Sequence, residues 1–146
     1  VHGLVIVTLH RVHAAMEAAF NAALAEVGLS AAQWDILRLL HHSPGASGAD
    51  IARYARVTPQ AVTTMLRRLE KAGLLRRQAA NKGRAVGSYL SPRGEAALRE
   101  GDRIAAQSEA QVTLAFTPDQ QARFQADLER CLSVLDSGLD PGGQPE

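Results

Sequence analysis

The stretch TPQAVTTMLRRLEKAGLLRRQAANKGR, residues 58–84, opens on a helix cap followed by proline, carries small hydroxyls on one face, and runs through two arginine pairs into a glycine-punctuated basic turn. At about 100° per residue, Val62, Met65, Leu66, Leu69 and Ala72 fall on one side of a helix, and Gln60, Thr63, Thr64, Arg67 and Lys71 on the other. The first side requires a core. The second faces either water or a partner.

Outward from this stretch, helix starts recur. Ser30 with Gln33 and Thr117 with Gln120 have capping-box spacing, Ser47 with Asp50 is a weaker version, and Thr58-Pro59 and Ser91-Pro92 put proline at the first helical position. These starts predict helices at about 4–27, 31–42, 48–55, 59–72, 92–115 and 118–136. Between the fourth and fifth, LLRRQ and VGSYL read as short strands around a hairpin tip at Asn81-Lys82-Gly83. The fold expected is mainly α with a small β-hairpin wing: a winged helix-turn-helix domain over 30–91, flanked by long dimerisation helices from 1–29 and 92–137, with a flexible tail at 138–146. Leu9, Val12, Met16, Phe20 and Leu24 repeat at helical spacing in the first helix, as do Phe124, Leu128, Cys131, Leu132 and Leu135 in the last. Helices this long and apolar call for surface beyond one small domain, and a second copy of the chain supplies it.

Charge is distributed unevenly. Over the whole chain the formal net charge is +1, yet residues 50–94 hold ten lysines and arginines against only Asp50 and Glu70. Residues 95–146 hold four arginines against ten acids. A basic middle between acidic flanks points to a polyanionic partner of the middle segment.

Two short helices with a tight turn, SGADIARYARVTPQAVTTMLRRLEKAG, have the form of a helix-turn-helix, and the basic hairpin behind it adds a wing. Thr58, Gln60, Thr63 and Thr64 at a helix start suit entry into a major groove. Gln60 offers paired donor and acceptor to adenine, threonine methyls suit thymine, and Arg67 reaches guanine or phosphate. Lys71 is a further DNA-binding candidate on the same helix, Arg53, Arg56, Arg68, Arg76 and Arg77 are candidates for phosphate contacts, and Arg84 with Lys82 for a narrow minor groove. The competing reading takes the same basic face as a dock for an acidic protein. RNA is disfavoured because Tyr54 and Tyr89 alone supply aromatic surface in the basic region.

LSAAQWDILRLL, SGADIARYARVTPQAVTTMLRRLEKAGLLRR and GRAVGSYLSPRGEAAL resemble the multiple antibiotic resistance regulator (MarR) family of winged-helix transcription factors over about residues 4–136. The most specific parts are the Leu-Glu-x-x-Gly-Leu turn at Leu69 to Leu74 and the Leu-Ser-Pro-x-Gly start at Leu90 to Gly94. The resemblance implies an obligate homodimer on a pseudo-palindromic DNA operator, usually as a repressor relieved by a small, often aromatic, ligand. It also implies a wing arginine matching Arg84. In two places the chain departs from the family pattern. Lys82 and Gly83 stand where an aspartate usually precedes that arginine, and Arg56 stands where the turn often has glycine.

Family ligands bind in a cleft that the first, second and fifth helices would line here, with Met16, Phe20, Trp34, Arg38 and His41 as candidates: rings for an aromatic ligand, a cation for a carboxylate. His10, His13 and Glu17 share a helical face, but every histidine lies within the first 42 residues and no metal or cofactor is expected. The single cysteine, Cys131, reads as a small hydrophobe in the stripe of the last helix. Neither a phosphate loop, a nucleophile elbow nor a paired-carboxylate cluster is present, so no enzyme is expected. The apolar GLVIVTL near the start is too short to span a membrane, which with the lone cysteine suggests an intracellular protein.

Overall fold

The protein is described by a computed structural model that covers residues 3–79 and 86–137. Its elements run α1 (Val5–Leu24), a short 3₁₀ turn (Ala25–Val27), α2 (Ala31–His42), β1 (Ala46–Ser47), α3 (Gly48–Ala55), α4 (Pro59–Lys71), β2 (Leu75–Ala79), β3 (Val86–Leu90), α5 (Pro92–Thr113) and α6 (Pro118–Asp136). Two compact units result, Val1–Ser108 and Glu109–Glu146. All of residues 30–91 fall within the first.

The helix starts follow side-chain chemistry. Ser30 accepts from the Gln33 amide at 3.1 Å while the Gln33 side chain accepts from the Ser30 amide at 3.0 Å, and Thr117 and Gln120 repeat the exchange. Ser47 and Asp50 complete a third box, and Thr58 Oγ1 accepts from the Ala61 amide at 3.1 Å ahead of Pro59. At the start of α5, Ser91 Oγ accepts from the Gly94 amide and donates to the Gly73 carbonyl, tying that helix to the turn that ends α4.

A three-stranded antiparallel sheet of order β1-β3-β2 closes the first unit. The sequence reading found β2 and β3, with β2 one residue early, and missed β1. That strand is two residues long and exists only through Ala46 facing Ser88 and Ser47 facing Gly87. The backbones come so close that a Cβ on Gly87 would lie 2.7 Å from the Gly45 carbonyl oxygen. Gly94 is tighter still, because its Cβ would sit 1.9 Å from the Leu74 oxygen. Glycine in the Ser-Pro-Arg-Gly start of α5 is thus what lets that helix lie against the chain leaving α4.

One core joins these pieces: Leu24, Ile36, Leu37, Leu40, Ile51, Val62, Leu66, Leu69, Leu75, Leu98 and Ile104 are all buried within it. The apolar side of α4 read from its periodicity is this buried side, although Ala72 is exposed. Leu4, Val5, Ile6, Val7, Leu9, Val12 and Met16, by contrast, are exposed, so α1 is anchored mainly through its C-terminal end. In the second unit α6 has no buried residue, and Cys131, read as part of an apolar stripe, is exposed. Phe116 and Phe124 stack there with ring centroids 5.1 Å apart. Among the described residues no helix is long and apolar enough to cross a membrane. The tail 138–146 and the expected hairpin tip lie outside the described residues.

Candidate nucleic-acid interface

Helices α3 and α4 meet at a sharp turn whose pivot is Arg56, in left-handed conformation with φ 53°. A side chain there costs about 1–2 kcal/mol relative to glycine, and it sets a cation at the mouth of the turn. Asp50 completes the cap of α3. The Ser47 backbone N–H and then the Ser47 hydroxyl hold its carboxyl below the ordinary carboxylate value, with a further pull from the Arg53 guanidinium, which forms an ion pair with it. Arg53 is largely exposed, so its remaining guanidinium N–H groups can reach a phosphate beside Asp50.

With Val62, Leu66 and Leu69 buried, the outward side of α4 carries Gln60, Thr64, Arg67, Arg68 and Lys71, all exposed. Thr63 sits on its flank and is half-buried. Thr58 is spent as the cap. The hydroxyls of Thr63 and Thr64 are also engaged, donating to the carbonyls of Pro59 at 3.0 Å and Gln60 at 3.2 Å.

In the sheet, Arg76 faces Tyr89 across β2 and β3. Its guanidinium carbon lies 4.9 Å from the Tyr89 ring centroid, and Nη1 donates to Gln78 Oε1 at 2.7 Å. Arg77 is exposed on the opposite side of the strand, in register with buried Ser88, whose hydroxyl has no hydrogen-bond partner among the described residues. Tyr89 as a platform for Arg76 was missed by sequence reasoning; alternation along two paired strands would have placed them together only once the register was known. Lys82 and Arg84 lie outside the described residues.

The structure brings together three of the five effector candidates. Phe20 meets Trp34 edge-to-face at 5.1 Å between centroids, and Arg38 lies over the Trp34 ring at 5.6 Å. Trp34 Nε1 donates to Asp102 Oδ1 at 2.9 Å, and Arg38 pairs with the same oxygen at 3.7 Å. His41, one turn beyond Arg38 on α2, contacts Glu95 at 3.0 Å instead of the Trp34 ring, and Met16 is exposed. Asp102 and Glu95 were absent from the candidates, although their seven-residue spacing on one face of α5 was a usable signal. Farther along α1, His13 and Glu17 pair at 3.4 Å.

Comparison with known proteins follows the same outline. The MarR family model matches residues 29–84. The HTH-type transcriptional repressor Rv2887 of Mycobacterium tuberculosis is 39% identical over 123 residues, which is 84% of this chain and 88% of the relative. A crystal structure of the M. tuberculosis MarR family protein Rv2887 in complex with DNA matches with TM-score 0.74 and 35% identity, covering 88% of this chain and 98% of that one. The same protein in complex with salicylic acid matches with TM-score 0.74 and 37% identity, covering 88% and 96%.

Proposed function

The chain belongs to the MarR family of transcription regulators, and on that premise we propose that it is a homodimeric, sequence-specific DNA-binding repressor whose affinity for its operator is set by a small aromatic ligand. The observation that carries this reading is the outward side of α4, where a capped helix start presents Gln60 and Thr64 ahead of Arg67, Arg68 and Lys71. Short polar side chains at a helix N-terminus approach base edges, and cations farther along neutralise the backbone. Arg53, Arg56, Arg76 and Arg77 add phosphate contacts around it, and Lys82 and Arg84 serve the wing. A relative crystallised with DNA supports the same assignment.

Dimerisation rests on the uncovered apolar surface. Val5, Ile6, Leu132 and Leu135 are each more than half exposed. A second copy covers the faces of α1 and α6 and sets the two α4 helices about one helical turn of DNA apart, near 34 Å. In this reading residues 1–29 and 92–137 form the dimerisation region and 30–91 the reading head.

The ligand acts at Phe20, Trp34 and Arg38, where two rings and a cation suit an aromatic acid, with Met16 and His41 at the margins. A relative bound to salicylic acid supports that chemistry. A carboxylate arriving at Arg38 meets Asp102 already there, so it must exchange with that anion, and the exchange loosens the tie between α2 and α5. A coupling of about 1–3 kcal/mol between the two sites changes operator affinity several-fold to about a hundred-fold.

A mobility-shift titration in excess nonspecific DNA tests the function. A discrete complex that survives competitor, holds two chains and weakens when salicylic acid is added supports it. Binding that competitor abolishes assigns the basic face to a docking role instead.

A further inference from the structure

Thr64 sits near the middle of the outward side of α4, one turn beyond Gln60 and one turn before Arg67 along the helix. A threonine offers a base edge three things: a hydroxyl donor, a hydroxyl acceptor and a methyl group. Here the donor is spent, because Oγ1 gives its hydrogen to the Gln60 carbonyl at 3.2 Å. Thr63 one position earlier is in the same state, bonded to the Pro59 carbonyl at 3.0 Å, but sits half-buried on the flank. Using the Thr64 hydroxyl as a donor to a base would break the bond to Gln60 and add a rotamer cost, which leaves the methyl and the oxygen lone pairs as the groups it can offer.

We propose that Thr64 reads DNA through its methyl group, as an apolar contact to the 5-methyl of a thymine in each half-site, with its hydroxyl acting only to lock the side chain against the helix. The proposal rests on the DNA-binding reading of α4. It differs from a polar reading in what it allows: the alternative use of Thr64 is as an acceptor for adenine N6 or cytosine N4, for which serine serves as well as threonine and valine does not serve at all.

The test uses the full chain and the tightest duplex selected from a random pool, resynthesised with 2′-deoxyuridine, which lacks the 5-methyl, at one thymine position at a time. At one thymine per half-site the unsubstituted protein should lose about four-fold in affinity, compounding to about fifteen-fold when both half-sites are changed, as expected for one methyl contact each. Thr64→Ser, which removes the methyl in both half-sites at once, should bind the thymine duplex about fifteen-fold more weakly and become indifferent to deoxyuridine at that position alone. Thr64→Val should keep the discrimination. A serine variant that discriminates as the original does overturns the proposal and assigns the thymine methyl to another side chain, and a valine variant that loses affinity at an adenine or cytosine overturns it and assigns the contact to the hydroxyl. Failure to select any preferred duplex overturns the DNA-binding reading itself; specific binding with no deoxyuridine effect anywhere overturns the Thr64 proposal alone.

Discussion

Trp34 on α2 and Asp102 on α5, 68 residues apart in sequence, are joined by an indole N–H to carboxylate bond of 2.9 Å, and the same carboxylate oxygen lies 3.7 Å from Arg38. One acid therefore fixes the ring and occupies the cation that an aromatic acid would seek. Asp102→Asn keeps an acceptor for Trp34 and removes the charge competing for Arg38. Because Arg38 and Asp102 are both partly exposed, the pair is worth about 1 kcal/mol or less. Salicylic acid should bind the variant about two- to five-fold more tightly by Trp34 fluorescence titration, while the thermal midpoint stays close to that of the original. Unchanged affinity would separate Arg38 from the ligand site.

Gly101 lies directly beneath that ring. A Cβ there would meet Trp34 Cδ1 at 2.5 Å, so Gly101→Ala must push the ring or α5 aside, at about 1–3 kcal/mol. Gly28 gives the contrast. It has φ 75° with nothing within 4 Å of a built Cβ, so Gly28→Ala strains the backbone by about 1–2 kcal/mol without touching the ring. Both should lower stability in urea denaturation, but only the Gly101 variant should shift Trp34 emission in the folded state.

Tyr89 holds Arg76 by its ring face, with Gln78 as the second anchor. An exposed cation–π contact is worth about 0.5–1 kcal/mol, mostly through pre-ordering the guanidinium. Tyr89→Leu should weaken DNA binding about two- to five-fold, and Tyr89→Phe should not. Equal losses in the two variants, measured at fixed salt, would place the effect in the hydroxyl or the strand instead.

Asp50 gives α3 a pH-dependent cap. Its carboxyl is held below the ordinary value of 3.8 in the folded chain, first by the Ser47 backbone N–H and then by the Ser47 hydroxyl, so the charged form favours folding. That contribution is complete above the unfolded value and fades as pH falls through the lowered folded one. The stability gap between the original and Asp50→Ala should be constant from pH 7 to about pH 5 and shrink below pH 4. A gap that does not change in acid would mean the carboxylate charge contributes nothing to the cap.

Much of the fold could be read from the sequence because its signals are local. Capping boxes at Ser30, Ser47 and Thr117 and prolines after Thr58 and Ser91 place helix starts within a few residues, and the 3.6-residue period separates the buried Val62, Leu66 and Leu69 from the outward Gln60, Thr64 and Arg67. What escaped depends on distant partners. β1 has no signature of its own, being two residues paired with β3. The spacing of Glu95 and Asp102 marks one face of α5, but the pairing of Asp102 with Trp34 is visible only when α5 is laid against α2, and that of Tyr89 with Arg76 only when the register of β2 and β3 is known. Thr63 belongs to the outward set by angle alone, yet packing leaves it half-buried on the flank.

The central claim is that two copies of α4 are held at one fixed separation to meet successive major grooves on one face of a duplex. Sequencing the duplexes that the purified chain retains from a random pool tests it most directly. The account predicts an inverted repeat whose half-site centres lie about one helical turn, or ~10 base pairs, apart. Enrichment of isolated single half-sites, or of no sequence at all, would contradict it.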